Sequence, residues 1–138
     1  MQKRISAFLL LFVLSACGQK DPYSEYYGNW DGGMTLAAKC VALSERFFLY
    51  EQALEHYKRG LEFQSLINRK KLSSANVSND LPKSESDSLE IRIMLIRKGI
   101  NYVPTDKKEA ESSKQFAARS LIESCNVKLL NSQFQAVP

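Results

Sequence analysis

An apolar stripe from Leu36 to Leu61 constrains the fold of this chain more than any other feature. Leu36, Cys40, Leu43, Phe47, Tyr50, Leu54, Tyr57 and Leu61 recur at alternating spacings of four and three. That rhythm sets all eight side chains on one face of an α-helix. Lys39, Glu45, Arg46, Glu51, Glu55, Lys58 and Arg59 fill the other faces. Glu55 and Arg59 stand one turn apart, a spacing that adds roughly a few tenths of a kcal/mol. The pattern predicts one long helix over residues 34–71. Gly60 weakens it near its end, and Arg69, Lys70 and Lys71 suit its C-terminus, where positive charge meets the negative end of the dipole.

Downstream, residues 72–84 read as a polar loop rich in serine and asparagine, with Pro82. Residues 89–96 begin with the alternation of a strand and are rich in isoleucine. Leu89, Ile93, Ile96 and Ile100 also align at helical spacing, after the cap candidates Ser86 and Asp87. Helix is the expectation, because no second convincing strand exists to pair with this one; a strand is the alternative. Lys98-Gly99 has the form of a helix stop. Pro104-Thr105-Asp106 then opens a last helix over roughly residues 106–132. Its main stripe is Ala110, Ala117, Ala118, Leu121, Ile122, Cys125 and Leu129. Phe116, Val127, Leu130 and Phe134 form a smaller stripe nearly opposite. Two apolar sides predict two neighbours, here the middle helix and an outside partner.

The N-terminus has the order of a secretory signal. Lys3 and Arg4 precede an apolar run from Ile5 to Leu14, which is too short to span a bilayer as a helix. Small residues, Ser15 and Ala16, then precede Cys17. Leu14-Ser15-Ala16-Cys17 closely resembles the lipobox of bacterial lipoproteins. The resemblance implies cleavage before Cys17 and acyl chains on its sulfur and new amino group. Buried chains contribute about 0.8 kcal/mol per CH2, so two or more anchor firmly. Gly18 rather than aspartate follows the acceptor cysteine. In enteric-type bacteria the resemblance then favours the periplasmic face of the outer membrane over the inner membrane.

Without residues 1–16 the chain loses Lys3 and Arg4 of its 19 basic residues, leaving 17 against 15 acidic ones. Such a near balance gives no basis for nucleic-acid binding, which asks for a clustered basic face. Residues 17–33 read as a lipidated cysteine and flexible tether, interrupted by Pro22, Gly28, Gly32 and Gly33 and reaching roughly 20–25 Å. Its Tyr23, Tyr26, Tyr27 and Trp30 exceed what a spacer needs. They suit packing back on the domain, contact with the lipid interface, or a docking segment. Residues 34–138 are one domain's worth of chain.

With Cys17 lipidated as the resemblance implies, Cys40 and Cys125 remain as an even pair in an oxidising compartment, where disulfides persist. A Cys40–Cys125 bond is the expectation, and two buried free thiols are the alternative. The bond would bring the two Cα atoms to roughly 4.4–6.8 Å and set the first and last helices antiparallel, with stripes matched over roughly 30 Å. Closing so large a loop contributes about 4–5 kcal/mol in the chain-entropy model. The expected fold is all-α: a small antiparallel bundle of about three helices clamped by one disulfide. In that arrangement Arg69, Lys70, Lys71, Lys107 and Lys108 gather in a basic tip opposite the disulfide, pointing away from the lipid toward an acidic polymer or a periplasmic partner.

Catalytic constellations are sparse. His56 is the single histidine, expected as a partly exposed helix residue with no nucleophile set against it. Glu51 and Glu55 share a helix face but lack the Glu-x-x-His motifs of bundle di-metal sites. No metal site, cofactor or phosphate-binding glycine loop is expected. Residues 50–61 resemble the second helix of a tetratricopeptide repeat, with Ala53, Tyr57 and Gly60 at its small, aromatic and small positions. Phe48 stands where that repeat has its turn glycine, and no repeat period follows, although such repeats need about three copies.

The expected role is therefore a non-catalytic interaction module on a lipid anchor: an adaptor, a pilotin-like chaperone or an accessory subunit of an envelope assembly. The plan of lipid anchor, short helical domain and disulfide resembles that of secretion-system pilotins. The alternative is an exclusion or inhibitor lipoprotein acting against phage, conjugation or a hydrolase. Candidate contacts with an envelope protein are the five basic residues, Phe116, Leu130 and Phe134 on the surplus stripe, and Tyr26, Tyr27 and Trp30.

Overall fold

The expected single helix over residues 34–71 is two helices, broken at Phe47-Phe48-Leu49. In the computed structural model, which describes residues 20–75 and 88–138, α1 spans Trp30–Arg46 and α2 spans Tyr50–Ala75. Between them the backbone N–H groups of Phe47 and Leu49 both donate to the carbonyl of Ser44, and that of Phe48 donates to Glu45. Phe48 holds a left-handed φ of 59°, which costs a non-glycine residue about 1–2 kcal/mol. What offsets that strain is burial on either side: Phe47 and Leu49 both enter the core, while Phe48 points outward, 55 % exposed.

Reversal at Phe48 folds α2 back against α1. Gly33 lies against the Phe63 ring and Gly60 lies against Ala37, so the helices run antiparallel at close range. A Cβ at Gly33 would stand 2.6–2.8 Å from three ring carbons of Phe63, which shows how tight the contact is. The core-facing side of α2 is therefore Ala53, His56, Gly60 and Phe63. Tyr50, Leu54 and Leu61, which continue the rhythm of the first stripe, are turned to solvent.

Residues 89–100 are helical. This α3 (Leu89–Ile100) is capped by Ser88, whose hydroxyl accepts from the Ile91 N–H. Gln64 of α2 accepts from the Leu89 N–H at 2.8 Å, and Leu89 fills the space left by Gly60. The helix runs alongside α1 in the same direction. Arg92 reaches Asp31 and Thr35 near the start of α1, and Arg97 forms a two-pronged pair with Glu45 near its end. Cap candidates Ser86 and Asp87 lie outside the described residues, as do residues 76–84 of the expected polar loop; residues 72–75 continue α2.

The last helix is shorter than expected. α4 spans Lys107–Cys125, capped by Asp106, whose carboxylate accepts from the N–H groups of Lys108 and Glu109. It stops where Asn126 adopts a φ of 54°, a conformation asparagine tolerates better than most residues. The chain then turns into a short α5 (Asn131–Ala136). Phe134 stacks on Phe47, and buried Lys114 donates to the Val137 carbonyl while its ammonium sits 4.3 Å from the Phe134 ring centre. Val127 and Phe134 thus fold back into the domain rather than forming an outward stripe on α4.

Cys40 and Cys125 are joined, with Cα atoms 5.6 Å apart. The bond pins the end of α4 to α1, and Lys114 lies near Phe47, so α4 runs antiparallel to α1. Four long helices, rather than about three, build the bundle among the described residues. α1 is its centre. Cys40, Leu43 and Phe47 face α4 and α5, while Met34, Ala37, Ala38 and Val41 face α2 and α3. A central helix has few positions left for charge, which is why α1 is rich in alanine and glycine.

Candidate functional site

The segment expected as a flexible tether, with aromatics suited to packing back on the domain, is folded from Lys20 onward. The Asp21 carboxylate accepts from the Tyr23 N–H at 3.0 Å, opening a tight turn, as aspartate commonly does. A 3-10 turn follows over Ser24–Tyr26. Asn29 then caps α1 by accepting from the Gly32 N–H. Residues 20–29 thus form a strap with no break before the first helix.

Tyr23 fastens that strap. Its side chain is only 2 % exposed and packs against Phe63 and His56. The hydroxyl lies 2.6 Å from His56 Nδ1. Burial pushes the phenol pKa up and the imidazole pKa down. Tyr23 accordingly keeps its proton and His56 stays neutral at neutral pH, so the contact is a hydrogen bond between two uncharged groups. A phenol with a raised pKa is a poor base and a poor nucleophile at neutral pH. The pair is built to hold.

Arg59 closes the latch from above. It lies 5.0 Å from the Tyr23 ring centre and 5.8 Å from that of Tyr27, and pairs with Asp21 at 2.7 Å. Its Nε is buried without a hydrogen-bond partner among the described residues, so the guanidinium holds its stacking position at the expense of one donor. Glu55 and Asp21 favour a positive His56 while Arg59 opposes it, and all three are outweighed by burial. The lone histidine is therefore a buried latch residue, 8 % exposed, rather than the partly exposed one expected.

Two shallow grooves flank the strap. One, of about 790 Å³, is lined by Lys20, Tyr26, Thr35, Lys39, Glu123 and Asn126. The other, of about 710 Å³, lies between Asp21, Glu51, Glu55, Arg59 and Lys128. Among the described residues no group of three or more His, Cys, Asp and Glu is placed to hold a metal ion, and no helix is long and apolar enough to cross a membrane.

The other candidate residues are dispersed. Cys17 lies outside the described residues. Arg69, Lys70 and Lys71 sit on the last turns of α2, which overhangs the start of α1 by roughly 13 Å. Lys107 and Lys108 begin α4, beyond the opposite end of α1. The two groups do not gather into one tip, because the turn at Phe48 sends α2 back along α1 rather than onward. Phe116 is 70 % exposed and Leu130 is also open to solvent, whereas Phe134 is half-buried on Phe47. Tyr26 and Trp30 pack against the α1–α2–α3 core, and Tyr27 leans on Phe63 with its edge in solvent.

The latch itself escaped sequence reasoning, although a signal was present. Ala53, His56, Gly60 and Phe63 recur at spacings of three, four and three, a second stripe hidden beside the more apolar one. Comparison with protein-family models, with curated proteins and with solved structures finds no match for this chain.

Proposed function

We propose that this chain is a lipid-anchored protein of the bacterial cell envelope, acylated at Cys17 and held at the periplasmic face of the outer membrane. Its helical domain serves as a non-catalytic interaction module: an adaptor, a pilotin-like chaperone or an accessory subunit of an envelope assembly. The observation that carries this reading is a lipobox-like Leu14-Ser15-Ala16-Cys17 directly ahead of a domain closed by a disulfide. Both features belong to compartments outside the cytoplasm. Large apolar side chains left in solvent, notably Tyr50, Leu54 and Leu61 on α2 and Phe116 on α4, supply surface for a protein partner.

The test is in-cell crosslinking from photoreactive residues at positions 54 and 116, with mass spectrometry of what is captured. One dominant envelope complex is the expected result. Capture scattered over abundant lipoproteins and lipid would overturn the adaptor role and favour exclusion or inhibition. Acylation is checked separately, by the mass of the mature N-terminal peptide and by the loss of processing in Cys17→Ser.

A further inference from the structure

The strap shortens the leash between Cys17 and the domain to almost nothing. Lys20 is the first described residue, and it is already held in place. Its carbonyl accepts from Asn126 Nδ2 at 3.4 Å, its ammonium pairs with Glu25 at 2.8 Å, and Tyr23 is buried three residues on. Consecutive Cα atoms are 3.80 Å apart, so Cys17 and Lys20 are separated by at most about 11 Å whatever the path between them. The polar layer of one leaflet is roughly 5–8 Å deep. A bilayer that holds acyl chains on Cys17 therefore has Lys20 in or directly upon its headgroups.

Lys20 also has a defined neighbourhood. Lys39 and Glu123 share its groove, and Lys128 lines the groove across the strap. No carboxylate pairs with Lys39 or Lys128 among the described residues. Both ammonium groups thus remain available on the side from which the anchor leaves. Lys107 and Lys108 lie at the far end of α4, roughly 27 Å along the helix from Cys125.

We propose that the face around Lys20, including Lys39, Asn126 and Lys128, rests on the phospholipid headgroup layer, with phosphate groups opposite the lysines. The anchor then fixes the orientation of the domain as well as its location. The α4 start, with Lys107 and Lys108, lies roughly 27 Å along the helix from that face and is not part of it. This inference rests on the proposed acylation of Cys17.

The experiment is lysine acetylation of the full acylated protein, reconstituted in vesicles of phosphatidylcholine and phosphatidylglycerol and read by mass spectrometry. A second variant carries a Gly-Ser spacer of about 20 residues between Gln19 and Lys20, which lifts the domain by roughly 25 Å on average. The expected result is several-fold slower acetylation of Lys20, Lys39 and Lys128 than of Lys107 and Lys108, with the difference abolished by the spacer. Equal reactivity in a protein whose peptide mass shows acylated Cys17 overturns the orientation alone. Protection that survives the spacer overturns the short leash as its cause. An unacylated Cys17 overturns the anchor reading and the orientation together.

Discussion

The hydroxyl of Tyr23 lies 2.6 Å from His56 Nδ1, tying the strap ahead of α1 to the middle of the bundle. Removing the hydroxyl leaves a buried imidazole nitrogen without a partner. Tyr23→Phe should therefore lower stability by about 1–3 kcal/mol, although ring and packing are kept. Thermal unfolding measures the loss. A change within error would show that the contact is not a latch.

The same pair predicts a pH dependence. Burial holds the His56 pKa below its ordinary value of 6.5. On acidification the unfolded chain takes up the proton first, so stability falls as the pH drops below about 6.5 and continues to fall until the folded pKa is reached. His56→Gln, which cannot titrate, should flatten that part of the profile. Melting temperatures of both proteins between pH 7.5 and 4.5 decide the matter.

Two glycines should respond to alanine with opposite signs. Gly33→Ala places a Cβ within 2.6–2.8 Å of the buried Phe63 ring, and overpacking of this kind costs about 1–3 kcal/mol. Nothing lies within 4 Å of a Cβ at Gly99, in the last turns of α3. Gly99→Ala should gain about 0.5–1 kcal/mol from helix propensity alone. Chemical denaturation of the two variants gives both signs in one comparison.

Phe48→Gly removes a strained left-handed residue whose ring is mostly in solvent. Relief of that strain, about 1–2 kcal/mol, outweighs the extra backbone freedom glycine has in the unfolded chain. A net gain of up to about 1 kcal/mol is expected. Phe48→Val should lose stability, because a β-branched residue fits a positive φ poorly.

Reduction of Cys40–Cys125 should be the largest single perturbation. The bond spans 85 residues, and the chain-entropy model gives it about 4–5 kcal/mol. Melting with and without a phosphine reductant should separate by many degrees. A shift of only a few degrees would mean that burial around Cys40 and Cys125 carries the α1–α4 contact without help.

Helicity was legible wherever local signals agreed. Asp106 in front of a periodic segment and the spacing of Leu89, Ile93, Ile96 and Ile100 both correspond to helices, because caps and periodicity act within one or two turns. The cysteine pair was legible too, once the lipobox resemblance had set Cys17 aside. The break after Arg46 was not, since Phe47-Phe48-Leu49 contains no glycine, proline or asparagine to announce a turn.

What the sequence determined by itself is the kind of fold this is: helical segments and one cysteine pair to close them. What the tertiary structure decided is which face of each helix turns inward and where the strap lies. Tyr50, Leu54 and Leu61 lost the core to Ala53, His56, Gly60 and Phe63 because small residues let α1 and α2 approach closely. Close approach buries Gly33, Met34, Ala37, Ala38 and Val41 of α1, and apolar area removed from water stabilises by about 25 cal/mol per Å². Local propensity differs by tenths of a kcal/mol per residue; burial differs by whole ones, and it is settled only when distant parts of the chain meet.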